Sequence, residues 1–268
     1  MLQVLCPHCG QPLRQGKSAF FCEQGHSFDV ARQGYVNLLP VQQKRSLHPG
    51  DTREMVAARR SFLEAGHYLP IARTLLELVQ TWAPGARSVL DAGCGEGYYL
   101  SHLGHIPLRC GVDISKEAVR YAARRDKTAL WLTATAAHLP FPGESFDCLL
   151  SMFALTVAPE FARVLGPGGI FVEVVTGPDH LRALRGIIYP EVQRKEKKAR
   201  AALEGFALLD SRVIEFDFTL ETPEAVRSLF SMTPHVWRIS QAGAEALART
   251  ERLVDRAQVL FRVYQRNR

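Results

Sequence analysis

The chain has 268 residues, 47% of them hydrophobic, and a formal net charge of +6. It can bury a sizeable core, and no apolar run approaches the roughly 20 residues of a membrane-spanning helix. The positive balance leans toward a polyanionic partner. Six cysteines without a visible secretory signal point to thiols and metal ligands in a reducing compartment, so the expected location is the cytoplasm.

The first structured segment is organised by cysteine spacing. Cys6-Pro-His-Cys9 is a C-x2-C knuckle, and Cys22 and His26 form a second pair four residues apart. Three thiolates and one imidazole can close a tetrahedral structural zinc site, with Gly10 and Gly25 easing the turns. Four protein ligands leave no open position for catalysis, and so short a segment draws much of its folding free energy from the metal. His8 lies between the knuckle cysteines and is expected to point away. Cys94, Cys110 and Cys148 sit in a glycine turn or in apolar strands and read as buried, inert thiols.

A polar, basic passage from Gln42 to Thr52, including Lys44, Arg45, His48 and Pro49, reads as a linker. Asp51 or Thr52 can cap a helix beginning near Arg53, and a second helix runs from about Tyr68 to Trp82. Ser88-Val-Leu-Asp91 is then a strand, and Gly93, Gly95 and Gly97 follow at alternate positions before a helix start. This strand, turn and helix N-terminus lets backbone approach a ligand and favours a negative group there. The spacing is G-x-G-x-G, not the G-x-G-x-x-G of dinucleotide sites. With Asp91 closing the strand, it resembles the Rossmann-like methyltransferases that use S-adenosylmethionine. Cys110-Gly-Val-Asp113 reads as the next strand, and Asp113 stands about 20 residues beyond the turn, where a carboxylate can accept ribose hydroxyls.

A helix from Ser115 to Arg125, a strand at 129–133 and a fourth strand at 146–153 continue the alternation. The resemblance to those methyltransferases implies that the loop from Ala134 to Phe141, Leu139 included, contacts adenine. Phe153, at the fourth strand's end, either stacks on a flipped base or packs in the core. Gly166-Pro-Gly-Gly169 turns into a fifth strand, Ile170 to Val175, and His180 follows it, read either as a cofactor contact or as a satisfied loop histidine. Arg182, Arg185, Arg194, Lys195, Lys197, Lys198 and Arg200 form a basic run, read here as phosphate contacts in preference to a solvated face. Alternating residues from Arg252 to Gln265 complete the sheet.

Taken together, the zinc pattern, Gly34-Tyr-Val-Asn-Leu-Leu-Pro40, Ala65-Gly-His-Tyr68, Gly93-Cys-Gly-Glu-Gly97 and Met232-Thr-Pro234 resemble the RlmA-type methyltransferases. That resemblance implies transfer of a methyl group to guanine N1 in a 23S ribosomal RNA hairpin, a zinc module for RNA recognition and a homodimer. It also implies cofactor contact by Tyr68. The chain divides into a zinc module at 1–40, a linker with helices at 41–85, and a catalytic domain at 86–268. The catalytic fold expected is an α/β, Rossmann-like class I methyltransferase sheet with helices on both faces. The cofactor set is Tyr68, Asp91, Gly93, Cys94, Gly95, Glu96, Gly97, Asp113, Leu139 and His180; the metal set is Cys6, Cys9, Cys22 and His26. No side chain stands out as the base. The rival readings are a small-molecule methyltransferase and a non-catalytic zinc protein that binds RNA; RNA stimulation of turnover and cofactor binding, respectively, separate them.

Overall fold

The structure, a computed structural model, describes residues 2–43, 50–191 and 203–267. Lys44, Arg45, His48 and Pro49 of the expected linker, and Arg194, Lys195, Lys197, Lys198 and Arg200 of the basic run, lie outside the described residues.

The N-terminal segment is a four-stranded antiparallel meander of β1 (Val4–Leu5), β2 (Pro12–Gln15), β3 (Ala19–Phe21) and β4 (Ser27–Asp29). Val4, Leu13 and Phe20 are its buried apolar residues, too few for a core of their own. They share one apolar cluster with Val36, Leu38, Leu139 and Phe141, and Leu5 N–H donates to the Pro140 carbonyl at 2.8 Å. The meander therefore leans on the larger body. The next strand, β5 (Tyr35–Asn37), already belongs to that body, pairing parallel with the strand at 130–133.

Two helices precede the central strands. In α1 (Arg53–Glu64), Thr52 caps the N-terminus by accepting the Met55 N–H at 3.3 Å, and Met55, Val56, Phe62 and Leu63 are buried. α2 (Leu69–Trp82) opens on Pro70 and buries Ile71, Leu75, Leu78 and Val79. Strands and helices then alternate: β6 (Ser88–Ala92), α3 (Tyr98–Ser101), β7 (Leu108–Asp113), α4 (Lys116–Arg125), β8 (Leu130–Thr133), β9 (Phe146–Met152), α5 (Ala158–Val164), β10 (Leu165–Thr176) and α6 (Arg182–Ile188). The chain closes with β11 (Phe206–Leu220), α7 (Pro223–Ser231), α8 (Gln241–Ala248) and β12 (Leu253–Arg266).

The eight-stranded sheet runs β11-β12-β10-β9-β6-β7-β8-β5. Its strands all run one way except β12, which is antiparallel to both β10 and β11. Residue parity sorts the two faces. Val89, Cys148, Leu150, Val172 and Val174 pack with α2, while Leu90, Leu149 and Phe171 pack with Phe161 and Val164 of α5. Covered on both faces, β6 and β9 read as nearly unbroken apolar runs. The strand order reverses between β6 and β9, so a crevice opens at the C-terminal ends of the parallel strands. Among the described residues no helix is long and apolar enough to cross a membrane.

Candidate functional site

At the tip of the meander, ligand atoms of Cys6, Cys9, Cys22 and His26 lie within 4.8 Å of one another. Cys9 Sγ lies 3.7 Å from Cys22 Sγ, and His26 Nδ1 lies 3.4 Å from Cys22 Sγ and 3.6 Å from Cys6 Sγ. A tetrahedral zinc with Zn–S near 2.3 Å and Zn–N near 2.0 Å spaces its ligands by about 3.5–3.8 Å. The donor set fits that ion, with Nδ1 as the imidazole ligand. His8 stays outside the cluster, its ring stacked on Phe28 at 5.8 Å.

In the crevice a cleft of about 840 Å³ runs from the glycine turn to a wall built by the later loops. That is the upper end of the roughly 300–1,000 Å³ of small-ligand pockets, more room than a single small cofactor needs. Gly93, Cys94, Gly95, Glu96 and Asp113 line one end. Gly93 and Gly95 have φ of +89° and +54°, which disfavours any side chain, and a Cβ on Gly93 would meet the Ala154 Cβ at 2.4 Å. Asp113 accepts the Gly95 N–H at 2.9 Å and the Ser115 N–H at 2.8 Å, which fixes its carboxylate under the turn. Burial pushes its pKa up, and those two N–H groups and Arg59 oppose the rise. Glu96, almost fully buried, is bound by Arg59 Nε at 2.7 Å, and the same guanidinium reaches Asp51 at 2.5 Å. Arg59, on the apolar face of α1, is a site residue that its periodic setting conceals.

Three of the expected cofactor residues stand apart from the cleft lining. Gly97 serves packing instead: its φ is +76° and an added Cβ would meet the Trp131 ring at 2.6 Å. Leu139 is turned into the core and its N–H is taken by Glu160 Oε1 at 2.6 Å; Ala134, Thr135, Ala136 and Ala137 line the cleft in its place. Asp91 lies fully buried behind the turn, with neither carboxylate oxygen hydrogen-bonded. Burial, then the nearby Asp113 and Glu96, raises its pKa to about 8. Cys94, Cys110 and Cys148 are buried, and burial raises all three thiols, Cys148 to about 12.

The other end of the cleft is aromatic. Tyr68 Oη and His180 Nε2 are 3.1 Å apart, and His180 Nδ1 accepts the Gln258 N–H at 3.2 Å. A backbone donor on Nδ1 assigns the imidazole proton to Nε2, which donates to Tyr68. Phe153 follows β9 at φ +57°, a conformation rare for a bulky residue, and the residue is 37% exposed. It stands 6.1–6.4 Å from the rings of Tyr68, Tyr99 and His180. Arg185, His235 and Trp237 complete this wall, with Trp237 71% exposed at the rim. In sequence, His235 carried only the faint signal of a turn after Thr-Pro.

The comparisons agree with this two-part architecture. The family profile described as RlmA, N-terminal, a zinc ribbon, matches residues 4–47, and a methyltransferase-domain profile matches residues 90–172. The 23S rRNA (guanine(748)-N(1))-methyltransferase of Streptomyces fradiae is 39% identical over 204 residues, covering 74% of this chain and 71% of that protein. YxjB of Bacillus subtilis, provisionally named a 23S rRNA (guanine-N(1)-)-methyltransferase, is 33% identical over 247 residues, covering 87% of this chain and 86% of its own. A solved structure provisionally described as a methyltransferase, BH2331 from Bacillus halodurans C-125, superposes with a TM-score of 0.51 at 14% identity. It covers 72% of this chain and 99% of that one, and shows the fold alone. The chain belongs to the RlmA-type family of 23S rRNA (guanine-N1-)-methyltransferases.

Proposed function

We propose that the protein transfers a methyl group from S-adenosylmethionine to N1 of a guanine in a 23S ribosomal RNA hairpin. The observation that carries this reading is the single cleft joining the glycine turn and Asp113 to a half-exposed aromatic wall. A guanine flipped from its helix has a stacking partner there, beside the cofactor end.

When bound, S-adenosylmethionine supplies a methyl group already activated on a sulfonium, which leaves alignment and water exclusion to the protein. Gly93 and Gly95 leave the turn without side chains, so the methionine end of the cofactor can pack directly against its backbone. Asp113, with two of its lone pairs engaged, keeps others for the ribose hydroxyls. Asp91, unpartnered behind the turn, holds a buried carboxyl whose ionised form the methionine ammonium on the cleft side of that backbone would favour. The small side chains at 134–137 leave a slot for adenine, and Tyr68 with His180 closes the methyl-transfer end. Phe153 supplies the stacking face. Cys6, Cys9, Cys22 and His26 hold a structural zinc whose ribbon presents a surface to the RNA. The protein works as a homodimer, as the RlmA resemblance implies, and in the cytoplasm, as its cysteine usage suggests.

The test is incubation with labelled S-adenosylmethionine and unmodified 23S ribosomal RNA, followed by nucleoside mass spectrometry. Label in 1-methylguanosine is expected. No label with the cofactor still bound would move the assignment to a small-molecule acceptor, and no cofactor binding would remove the enzyme reading altogether.

A further inference from the structure

Guanine N1 bears a proton that must leave as the methyl arrives, and the acceptor for it can be sought by elimination around the cleft. Asp51 and Glu96 are both held by Arg59. Asp113 is engaged by two backbone N–H groups at the cofactor end. Asp91 lies behind the turn, outside the lining. His180 accepts a backbone N–H on Nδ1 and faces Tyr68 with Nε2, so neither of its nitrogens offers a lone pair to a ligand. The hydroxyls of Tyr68 and Tyr99 and the thiol of Cys94 are pushed well up by burial.

Among the described residues lining the cleft, that leaves His235. It sits in a short helical turn, Pro234–Trp237, fixed at its start by Thr233, whose hydroxyl donates to the Phe230 carbonyl at 2.7 Å. Its Nδ1 lies 2.8 Å from Tyr189 Oη, and the two rings meet edge to face at 5.4 Å. Tyr189 is itself placed by the end of α6, its N–H donating to the Arg185 carbonyl at 3.0 Å. With Nδ1–H donating to the Tyr189 oxygen, Nε2 keeps the lone pair of the neutral ring for a ligand. The charged groups that face the ring are Arg185 from α6 and Arg238 from its own turn; after burial, they are what lowers its pKa. A neutral imidazole at pH 7 is the state a proton acceptor needs.

We infer that His235 is the base that removes the N1 proton of the target guanine, with Tyr189 as the residue that positions its imidazole. The inference rests on the guanine-N1 reading. In the step, N1 bonds to the methyl carbon while the carbon–sulfur pair stays on sulfur. The N1–H electron pair, left on N1 as the proton passes to Nε2, becomes the new N1–C bond. The products are 1-methylguanine, S-adenosylhomocysteine and an imidazolium whose Nδ1–H is donated to Tyr189 Oη. The sulfonium charge that is lost reappears on the imidazolium, which then releases its proton to solvent.

The experiment compares wild type, His235→Asn and Tyr189→Phe in single-turnover methylation of the hairpin RNA, with cofactor and RNA affinities measured by calorimetry. For His235→Asn the rate should fall about 10²–10³-fold at pH 7 with both affinities unchanged. Its rate should then climb with pH as solvent base takes over, while the wild-type rate levels off above the imidazole's ionisation. Tyr189→Phe should lose less and keep the wild-type pH shape. In the complex with S-adenosylhomocysteine and hairpin RNA, the nitrogen-15 signal of His235 Nε2 should move on RNA binding; an unmoved signal overturns the assignment. So does wild-type formation of 1-methylguanosine with the His235→Asn rate within about threefold, which would leave the reading of the reaction standing. Absence of 1-methylguanosine from the wild type would instead overturn that reading and this inference with it.

Discussion

The Asp91 carboxyl carries the most quantitative consequence of the site. It is fully buried, both oxygens lack partners, and its pKa moves from the ordinary 3.8 to about 8. Each tenfold step costs the charged form about 1.4 kcal/mol, so ionising Asp91 in the empty protein costs on the order of 6 kcal/mol. The folded state therefore keeps a proton that the unfolded chain has already released. That contribution to stability is fully present below pH 3.8, falls as pH rises, and is gone above about 8. Asp91→Asn removes it, so the stability difference between variant and wild type should shift in the variant's favour from acid toward pH 8. If the cofactor's ammonium pairs with the ionised carboxylate, binding must expel this proton. At pH 7 a group of pKa about 8 is about nine-tenths protonated, so cofactor binding should release about 0.9 proton. Calorimetry in buffers of different ionisation enthalpy reads that number directly. Equal proton release by wild type and Asp91→Asn, or none by wild type, refutes the pairing.

Three further outcomes follow from the geometry. Gly97→Ala places a Cβ at φ +76° and 2.6 Å from the Trp131 ring; left-handed strain and overpacking should together cost about 2–4 kcal/mol in urea unfolding, and a loss under about 0.5 kcal/mol would contradict the packing role. Phe153→Ala should lower kcat/KM for RNA by about 5–150-fold, the worth of roughly 1–3 kcal/mol of base stacking, and leave cofactor affinity unchanged; Phe153→Tyr should retain activity, and an unaffected Phe153→Ala would assign that ring to packing. Native protein should contain one zinc per chain and Cys22→Ala none, by elemental analysis. Chelation should open the segment before Tyr35 to protease while the glycine turn still binds cofactor; an unaltered digestion pattern would show that the ribbon folds without metal.

Much of the fold was legible because its signals are local. Thr52 and Ser115 each cap the helix they precede, and the Ser88–Asp113 stretch contains strand, turn, helix start and second strand in contiguous sequence. The zinc site is legible for the same reason, since knuckle spacing and ligand chemistry suffice. β11 was not anticipated. Asp210, Arg212, Glu215 and Asp217 break its apolar pattern, and their partners come from elsewhere: Arg256 on β12 pairs with Asp217 at 2.7 Å, and Glu77 on α2 with Arg212 at 3.5 Å. What makes this stretch a strand is its long register against β12, a non-local fact. Leu139 misled for the opposite reason: a plausible loop position lost its N–H to Glu160, which only the fold brings near.

The acceptor wall was illegible for a topological reason that also explains why it exists. β12 runs antiparallel to both β10 and β11, so β10 and β11 point the same way. Leu220 at the end of β11 pairs with Leu253 at the start of β12, and Thr176 at the end of β10 pairs with Val259. Both departures from the sheet thus occur at the edge where the parallel strands end, the edge that holds the glycine turn. The chain after Thr176 and the excursion from 221 to 252 are both launched over the cofactor end, and each can place side chains there without any local motif to announce it. Tyr189 from the first and His235 from the second meet at 2.8 Å although 46 residues separate them. Taken singly, each has an ordinary reading as a helix-end aromatic or a turn histidine; only the sheet order makes them one wall. A family built this way can keep the Gly93–Asp113 turn fixed for the cofactor while the two excursions vary, so the choice of acceptor base is expected to follow residues 177–189 and 221–252 and not the turn.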